Sequence, residues 1–393
     1  MSENRQGKQN DRDLPLVVIG GGPAGSICAR QLARLGHRVV LTQQTSLANP
    51  RPAEICAPAV RRLLESASDL SIPRIAHRPL PSFSSAWGSD HVDGRTFGFW
   101  QADEALVLDR AAFDEWLLRS AEAAGVSILR ECRVTGGQWI GTQGHWVLCT
   151  LTGGMERSLD ASFVVESTGR SARSAIHADV KRLTTDALVC VSVEMPESQS
   201  NCSDAFVESC EGGWWYTALK PDDTRVVALF TDADLVAQAD GRLNWMNLVL
   251  DTTRHVRPLA YPLQQGAQVR VTDARTSIRN VLWRNAWISI GDAAWSLDPL
   301  SGSGLKRAIG GGIDAAAAIS RGLVQRDVEA LRSQAMSQVH AFVESLDIQQ
   351  KYYALESRWG DAPFWSRRLN PHPPHLGRTA SPRRPAAPMI VPA

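Results

Sequence analysis

The chain has 393 residues, enough for two domains with sizeable cores, and carries 42 basic against 41 acidic side chains. So even a balance gives no global field for nucleic acid or for an anionic membrane surface. No apolar run approaches a membrane span, and the polar opening MSENRQGKQNDRD lacks the apolar centre of a signal peptide, so a cytoplasmic location is expected.

The seven cysteines, Cys28, Cys56, Cys132, Cys149, Cys190, Cys202 and Cys210, form no C-x-x-C pair, and their number is odd. Reduced thiols fit this spacing better than a zinc or disulfide framework. The histidines show no ligand spacing, so no metal is assigned. Tryptophan supplies 13 of the aromatic rings, against 9 Phe and 4 Tyr, a bias toward wide pockets with stacking surfaces.

Residues 1–13 read as a disordered start. Leu16-Val17-Val18-Ile19 reads as a buried parallel strand. Gly20-Gly21-Gly22-Pro23-Ala24-Gly25 follows at once and fits G-x-G-x-x-G. Ser26 to Leu35 has helical periodicity, Gly36 stops the helix, and Arg38 to Leu41 is a second strand. In that context Gly20 makes the turn, Gly22 lets a pyrophosphate approach the backbone, and Gly25 lets helix and strand pack closely. The expected cofactor is FAD. The usual ribose-binding acid is missing, because the second strand runs into Thr42-Gln43-Gln44. Gln43 stands in its place with an uncharged amide.

Arg61 to Ala67 reads as helix. Pro73 to Gly98 is rich in Pro, Ser and Gly and reads as a crossing into a second domain. A helix is expected over Ala111–Ala124, then strands over Val126–Val134, Trp146–Leu151 and Phe163–Glu166, the last running into Ser167-Thr168-Gly169-Arg170. Strands at 187–194, 213–220, 226–231 and 269–272 suggest a mixed or antiparallel sheet. A strand at Ala286–Ile290 meets Gly291-Asp292-Ala293-Ala294, then Asp298-Pro299-Leu300-Ser301-Gly302-Ser303-Gly304 and a helix over Gly304–Gly322. Asp292 is placed to accept a hydrogen bond from a ribityl hydroxyl. The N–H groups from Gly302 to Leu305 are placed to face the flavin N1/C2=O edge. Two helices are expected over about 327–357, then a Pro-rich disordered tail.

GGGPAG at 20–25, STGR at 167–170 and GDAAWSLDPLSGSG at 291–304 together resemble the FAD-dependent monooxygenases of the p-hydroxybenzoate-hydroxylase and flavin-dependent halogenase fold. The resemblance spans about residues 14–368. Ser85–Ser89, Leu108-Asp109-Arg110 with Phe113-Asp114, Gly213–Tyr216 and Arg358–Trp365 narrow it to LodB/GoxB/QhpG-type flavoproteins, which hydroxylate tryptophan side chains of a partner while a quinone cofactor is made. The implied fold is α/β. A Rossmann-like three-layer FAD-binding domain (14–75, 99–180, 276–330) receives an inserted α+β substrate domain with a mixed sheet (76–98, 181–275). C-terminal helices (331–368) and the tail (369–393) follow.

The resemblance implies hydroxylation of an electron-rich indole or phenol through a flavin C4a-hydroperoxide, with O2 as co-substrate. The aromatic substrate is a protein side chain, carrier-bound or free. Trp87, Trp214, Trp215 and Tyr216 are candidates for the wall facing the flavin, and Glu54 matches an acid that flanks it. Arg110 is placed to reach the FAD or to cap the following helix in a surface ion pair. Cofactor contacts are expected from Gly20, Gly22, Pro23, Ala24, Gly25, Gln43, Arg110, Val134, Gly169, Asp292, Pro299, Gly302, Ser303, Gly304 and Leu305. Halogenases of this fold carry a relay lysine and a G-W-x-W-x-I-P motif. Here the lysines are Lys8, Lys181, Lys220, Lys306 and Lys351, and the motif is degenerate at Gly213–Leu219, which disfavours halogenation. Thr168-Gly169 replaces an Asp-Gly pair linked to NAD(P)H use, so electrons come from NAD(P)H directly or through a separate flavin reductase. A halogenase, a geranylgeranyl-reductase-like enzyme and a non-catalytic flavoprotein partner are the competing readings.

Overall fold

The computed structural model describes residues 14–44, 53–96, 104–170, 176–196, 205–237 and 241–369. Residues 1–13, Cys202 and 370–393 lie outside them; Leu369, assigned to the tail, instead ends a short helix, Pro363–Leu369.

Strand β1 (Leu16–Ile19) sits inside a six-stranded sheet, parallel to Phe163–Glu166 on one side and to β2 (Val39–Gln43) on the other. The order runs Trp283–Arg284, Trp287–Ser289, Phe163–Glu166, β1, β2, Ser127–Arg130, and is antiparallel only at the Trp283–Arg284 edge. Both faces of these strands are apolar, because both are covered. Leu16 and Val18 pack with Cys28 and Leu32 of helix α1 (Pro23–Arg34) and with Ala315 and Ile319 of the helix Gly304–Val324. Val17 and Ile19 face the other way, onto Val134, Trp146 and Leu148 of an antiparallel meander, Cys132–Ile140, His145–Thr152 and Met155–Ala161. Helices, parallel sheet and meander make three layers. The chain leaves β1 toward β2 and returns on its other side at Phe163–Glu166, which opens a crevice at the carboxyl ends of the strands.

A second, seven-stranded sheet has the order Arg270–Asp273, Leu188–Pro196, Thr224–Asp232, Gly213–Leu219, Ala205–Cys210, Ser82–Ala86, Asp93–Thr96. It is mixed, with Ala205–Cys210 parallel to Ser82–Ala86 and the other pairs antiparallel. One face packs against the helices Arg242–Asp251 and Arg257–Ala260; the other packs against the ends of the helices Val328–Ala354 and Pro363–Leu369. A small sheet of Glu54–Cys56, Ala105–Leu108 and His77–Leu80 completes the frame.

Three expected elements differ. The stretch read as a Pro-, Ser- and Gly-rich crossing holds three strands over 77–96; Pro79 is tolerated there because His77–Leu80 is an edge strand. The expected strand 126–134 breaks at Glu131, whose φ is +53°, and its halves join different sheets. Residues 328–354 form one helix, not two, since no Gly or Pro interrupts them. Among the described residues no helix is long and apolar enough to cross a membrane.

Candidate active site

Each glycine of the early turn answers to different surroundings. Gly20 has φ +107°, and a Cβ there would lie 2.6 Å from the Ser167 carbonyl oxygen. A Cβ on Gly25 would lie 2.0 Å from the Gly20 carbonyl oxygen. The protein itself therefore requires both glycines. Gly22 is different: a Cβ there meets nothing within 4 Å. Its missing side chain leaves open space, directly before the N-terminus of α1, where Pro23 fills the first position and no side chain caps the helix. Ala24 and Gly25 belong to that first turn, whose amides have no partner within the helix.

Gln43 is turned back on this loop. Its Oε1 accepts the Gly21 N–H at 2.8 Å, which leaves the NH2 end and one lone pair of the oxygen to meet a hydroxyl. Val134 packs its side chain into the core between sheet and meander. Gly169, φ +81°, follows the Phe163–Glu166 strand and faces open space.

The late turn lies against the early one. A Cβ on Gly291 would come 2.7 Å from the Ala24 Cβ, and one on Gly312 would come 2.6 Å from the Ala24 carbonyl oxygen. Two motifs some 270 residues apart in sequence thus come into contact. Pro299–Ser301 forms a single 3-10 turn, Gly302 takes φ +58°, and Ser303 starts the helix Gly304–Val324 without a side-chain cap. Gly302 and Gly304 face open space, whereas Leu305 buries its side chain and offers only its backbone.

Asp292 sits between arginines. Its Oδ2 accepts Arg170 Nε at 3.1 Å and its Oδ1 accepts Arg307 Nη2 at 3.3 Å. Burial alone would raise this carboxyl; Arg170 and Arg307 outweigh it and hold it below the usual range. Arg182 donates to the Asp292 and Ala293 carbonyls at 2.9 and 3.0 Å, and burial pulls it down to about 10. Arg170 Nη1 and Arg307 Nε are buried with no hydrogen-bond partner among the described residues. The crevice therefore offers spare cationic donors beside two uncapped helix ends and an open glycine, a set suited to a phosphate-bearing, hydroxyl-rich group such as FAD.

Arg110 opens the helix Arg110–Ala123, but Asp109 does the capping, accepting from Ala111 and Ala112. Arg110 is instead a largely buried ion-pair partner of Glu54 and Asp114, not a surface cap. Burial would lower its guanidinium, but the two carboxylates raise it. The Glu54 carboxylate also acts on the Tyr216 phenol, which burial pushes up, and on Arg307. Glu54 therefore stands within electrostatic range of both the late-turn arginine and the seven-stranded sheet.

On that sheet, strand alternation splits the aromatic candidates. Trp214 and Tyr216 face the crevice side; Trp214 stacks on Phe230 at 3.9 Å, and the Tyr216 hydroxyl donates to the Ala53 carbonyl at 2.8 Å. Trp215 points to the opposite face, into the core beneath the helix Arg242–Asp251, and leaves the candidate wall. Trp87 joins Trp214 edge-on at 6.4 Å, and its Nε1 donates to the Tyr352 carbonyl. Sequence reasoning missed Tyr353 and Asp298. The Trp214 Nε1 donates to the Tyr353 hydroxyl at 3.1 Å, which donates in turn to the Asp298 carboxylate. Asp298 lay in a recognised motif, but only the fold shows that a distant helix brings Tyr353 to it.

Burial pushes the Asp298 carboxyl up to about 6, against its Tyr353 and Leu300 hydrogen bonds, from an ordinary value of 3.8. Between those values the folded chain holds a proton that the unfolded chain has released. Stability is expected to fall as pH rises through that window. Thermal unfolding across pH should show the fall flattened in Asp298→Asn.

A parallel sheet with two uncapped helix ends meeting at the carboxyl ends of its strands suits a flavin-dependent oxidoreductase. Residues 92–379 match the tryptophan halogenase family, and residues 15–69 match glucose inhibited division protein A, an FAD-binding unit. The chain belongs to the tryptophan halogenase family. It is 27% identical over 377 residues to the putative FAD-dependent oxidoreductase LodB of Marinomonas mediterranea, covering 90% of this chain and 96% of that protein. In fold it is similar to the myxobacterial chondrochloren halogenase CndH, with TM-score 0.80 and 21% identity over 90% of this chain and 85% of that one. It is also similar to the peptidyl tryptophan dihydroxylase QhpG, with TM-score 0.74 and 23% identity over 90% of this chain and 78% of that one.

Proposed function

We propose that this flavoprotein is a monooxygenase that hydroxylates an electron-rich aromatic ring, with a tryptophan side chain of a peptide or protein as the favoured substrate. The reading rests on the packing of Trp87, Trp214 and Tyr216 in one aromatic cluster with Leu300 of the late turn, a cluster without a lysine among the described residues. Lys220 is tied to Glu194 and Asp222, and Lys181, Lys306 and Lys351 are exposed, Lys306 on the first turn of the helix Gly304–Val324. A wall of this kind can hold a flat ring and exclude water, but it has no amine to carry an activated halogen. The likeness to a peptidyl tryptophan dihydroxylase supports the same choice.

In this reading Gly22, Pro23, Ala24 and Gly25 hold the FAD diphosphate, Gln43 and Val134 flank the adenosine, and Asp292 takes a ribityl hydroxyl. Bound there, the flavin would supply reduction of O2 and delivery of one oxygen atom. The chain's own part is positional. The N–H groups after Gly302 hold negative charge at the ring edge, Glu54 and Arg110 fix the sheet border, and Trp87 and Trp214 orient the substrate ring.

Asp292→Asn is expected to weaken FAD binding by about tenfold, the loss of one charge-assisted hydrogen bond, measured by flavin fluorescence titration. The functional test is turnover with a flavin reductase, NADH, labelled dioxygen and a tryptophan-containing peptide, in chloride and bromide buffers. One labelled oxygen in the product is expected. Halogen incorporation without oxygen would overturn the reading.

A further inference from the structure

Thirteen tryptophans are more than a substrate wall needs, and several of them form a continuous file. Trp87 lies 6.4 Å from Trp214, 5.9 Å from Tyr353 and 5.5 Å from Trp365, centroid to centroid. Trp365 lies 5.9 Å from Tyr353 and 6.1 Å from Trp359. Tyr353 and Trp365 are buried, while Trp87 and Trp359 are partly exposed, so the file leads from the interior to the surface. Its inner end touches the late glycine turn, through the hydrogen bond from Tyr353 to Asp298.

The polarity of that end is fixed. An indole can only donate and a carboxylate can only accept, so the Tyr353 hydroxyl receives the Trp214 N–H and gives its own proton to Asp298. The Arg368 guanidinium lies 5.2 Å from the centre of the Tyr353 ring. That guanidinium is itself paired with Asp232, and the nearest charge to the phenol is Asp298. A phenol that loses an electron becomes a strong acid, so the proton of Tyr353 leaves with the electron. The bonded Asp298 oxygen is the acceptor in place.

We propose that Trp87, Trp214, Trp365, Trp359 and Tyr353 conduct one-electron oxidising equivalents between the late glycine turn and the protein surface, with Asp298 taking the phenol proton. Indole and phenol are the side chains most readily oxidised by one electron, and neighbouring rings here are in contact. In the step at Tyr353, one electron passes from Tyr353 to an oxidised indole, which returns to its neutral form. The phenol O–H bond breaks, its proton moves to the Asp298 carboxylate, and Tyr353 remains as a neutral radical. Such a route carries the oxidising equivalent of a one-electron oxidant at the surface, such as an inorganic radical, from the partly exposed indoles inward to Tyr353. It does not depend on the substrate being hydroxylated.

The test uses the full chain and the azidyl radical, generated by pulse radiolysis of azide, as the one-electron oxidant. The azidyl radical oxidises accessible indoles and becomes azide. Wild type is expected to show tyrosyl radical absorbance growing as tryptophanyl absorbance decays, at a rate independent of protein concentration. Tyr353→Phe is expected to lose that phase. Asp298→Asn, which keeps Tyr353 and nearly the same volume, is expected to slow it by about a hundredfold, the scale of a positioned proton acceptor. Absence of the phase in wild type, or an unchanged phase in either variant, would overturn the proposal.

Discussion

A Gly22→Val variant is expected to fold normally and to purify without FAD. The backbone at Gly22 is already extended, with φ −74° and ψ −178°, a conformation that suits a β-branched residue. A Cβ there meets no protein atom within 4 Å. The cost to the apo fold is the weaker helix-capping preference of valine, about 1 kcal/mol or less. The added methyls would stand where a diphosphate must approach the α1 amides. Losing two such charge-assisted bonds costs about 3 kcal/mol, or about a hundredfold or more in affinity. Calorimetric titration of apo protein with FAD reads the affinity, and thermal unfolding reads the fold. Tight FAD binding by the variant would contradict the placement of the diphosphate.

Gly25→Ala should behave in the opposite way, although the residue lies only three positions further on and the change is smaller. Its Cβ would sit 2.0 Å from the Gly20 carbonyl oxygen and 2.3 Å from Ser167 Oγ. Ser167 Oγ is itself bound to the Ile19 and Gly20 carbonyls, so neither neighbour can yield without parting α1 from the sheet. Overpacking of backbone against backbone is expected to cost about 3 kcal/mol, and to lower the Tm of the apo protein by about 4 °C. An unchanged Tm would show that the helix and strand are not locked at this glycine. The two variants separate what the fold needs from what the ligand needs.

This difference was partly visible in the sequence. Strand, glycines, helix and second strand follow one another locally, so β1, α1 and β2 could be read from adjacent residues. The late motif could be read in the same way. That the two turns touch, with Gly291 against Ala24, is a tertiary fact that no local pattern contains. The same holds for the arginines around Asp292, which come from the Phe163–Glu166 strand end and the helix Gly304–Val324. Gln43 was legible as a departure from the ribose-binding acid, but its hold on the Gly21 N–H was not. Trp214 and Trp215 are a different case. Successive residues of a strand point to opposite faces, so the sequence already held the signal that both could not line one wall. The strands between His77 and Thr96 were hidden because Pro, Ser and Gly dominate them, and they are specified by neighbours distant in sequence, such as Ala205–Cys210.

The most direct measurement is a crystal structure of the protein reconstituted with FAD. The dinucleotide is expected to run from Gly22 to the amides of Gly302–Leu305, with its ring system turned toward Trp87 and Trp214. Density for the cofactor that leaves either glycine turn uncontacted would contradict a single shared flavin crevice.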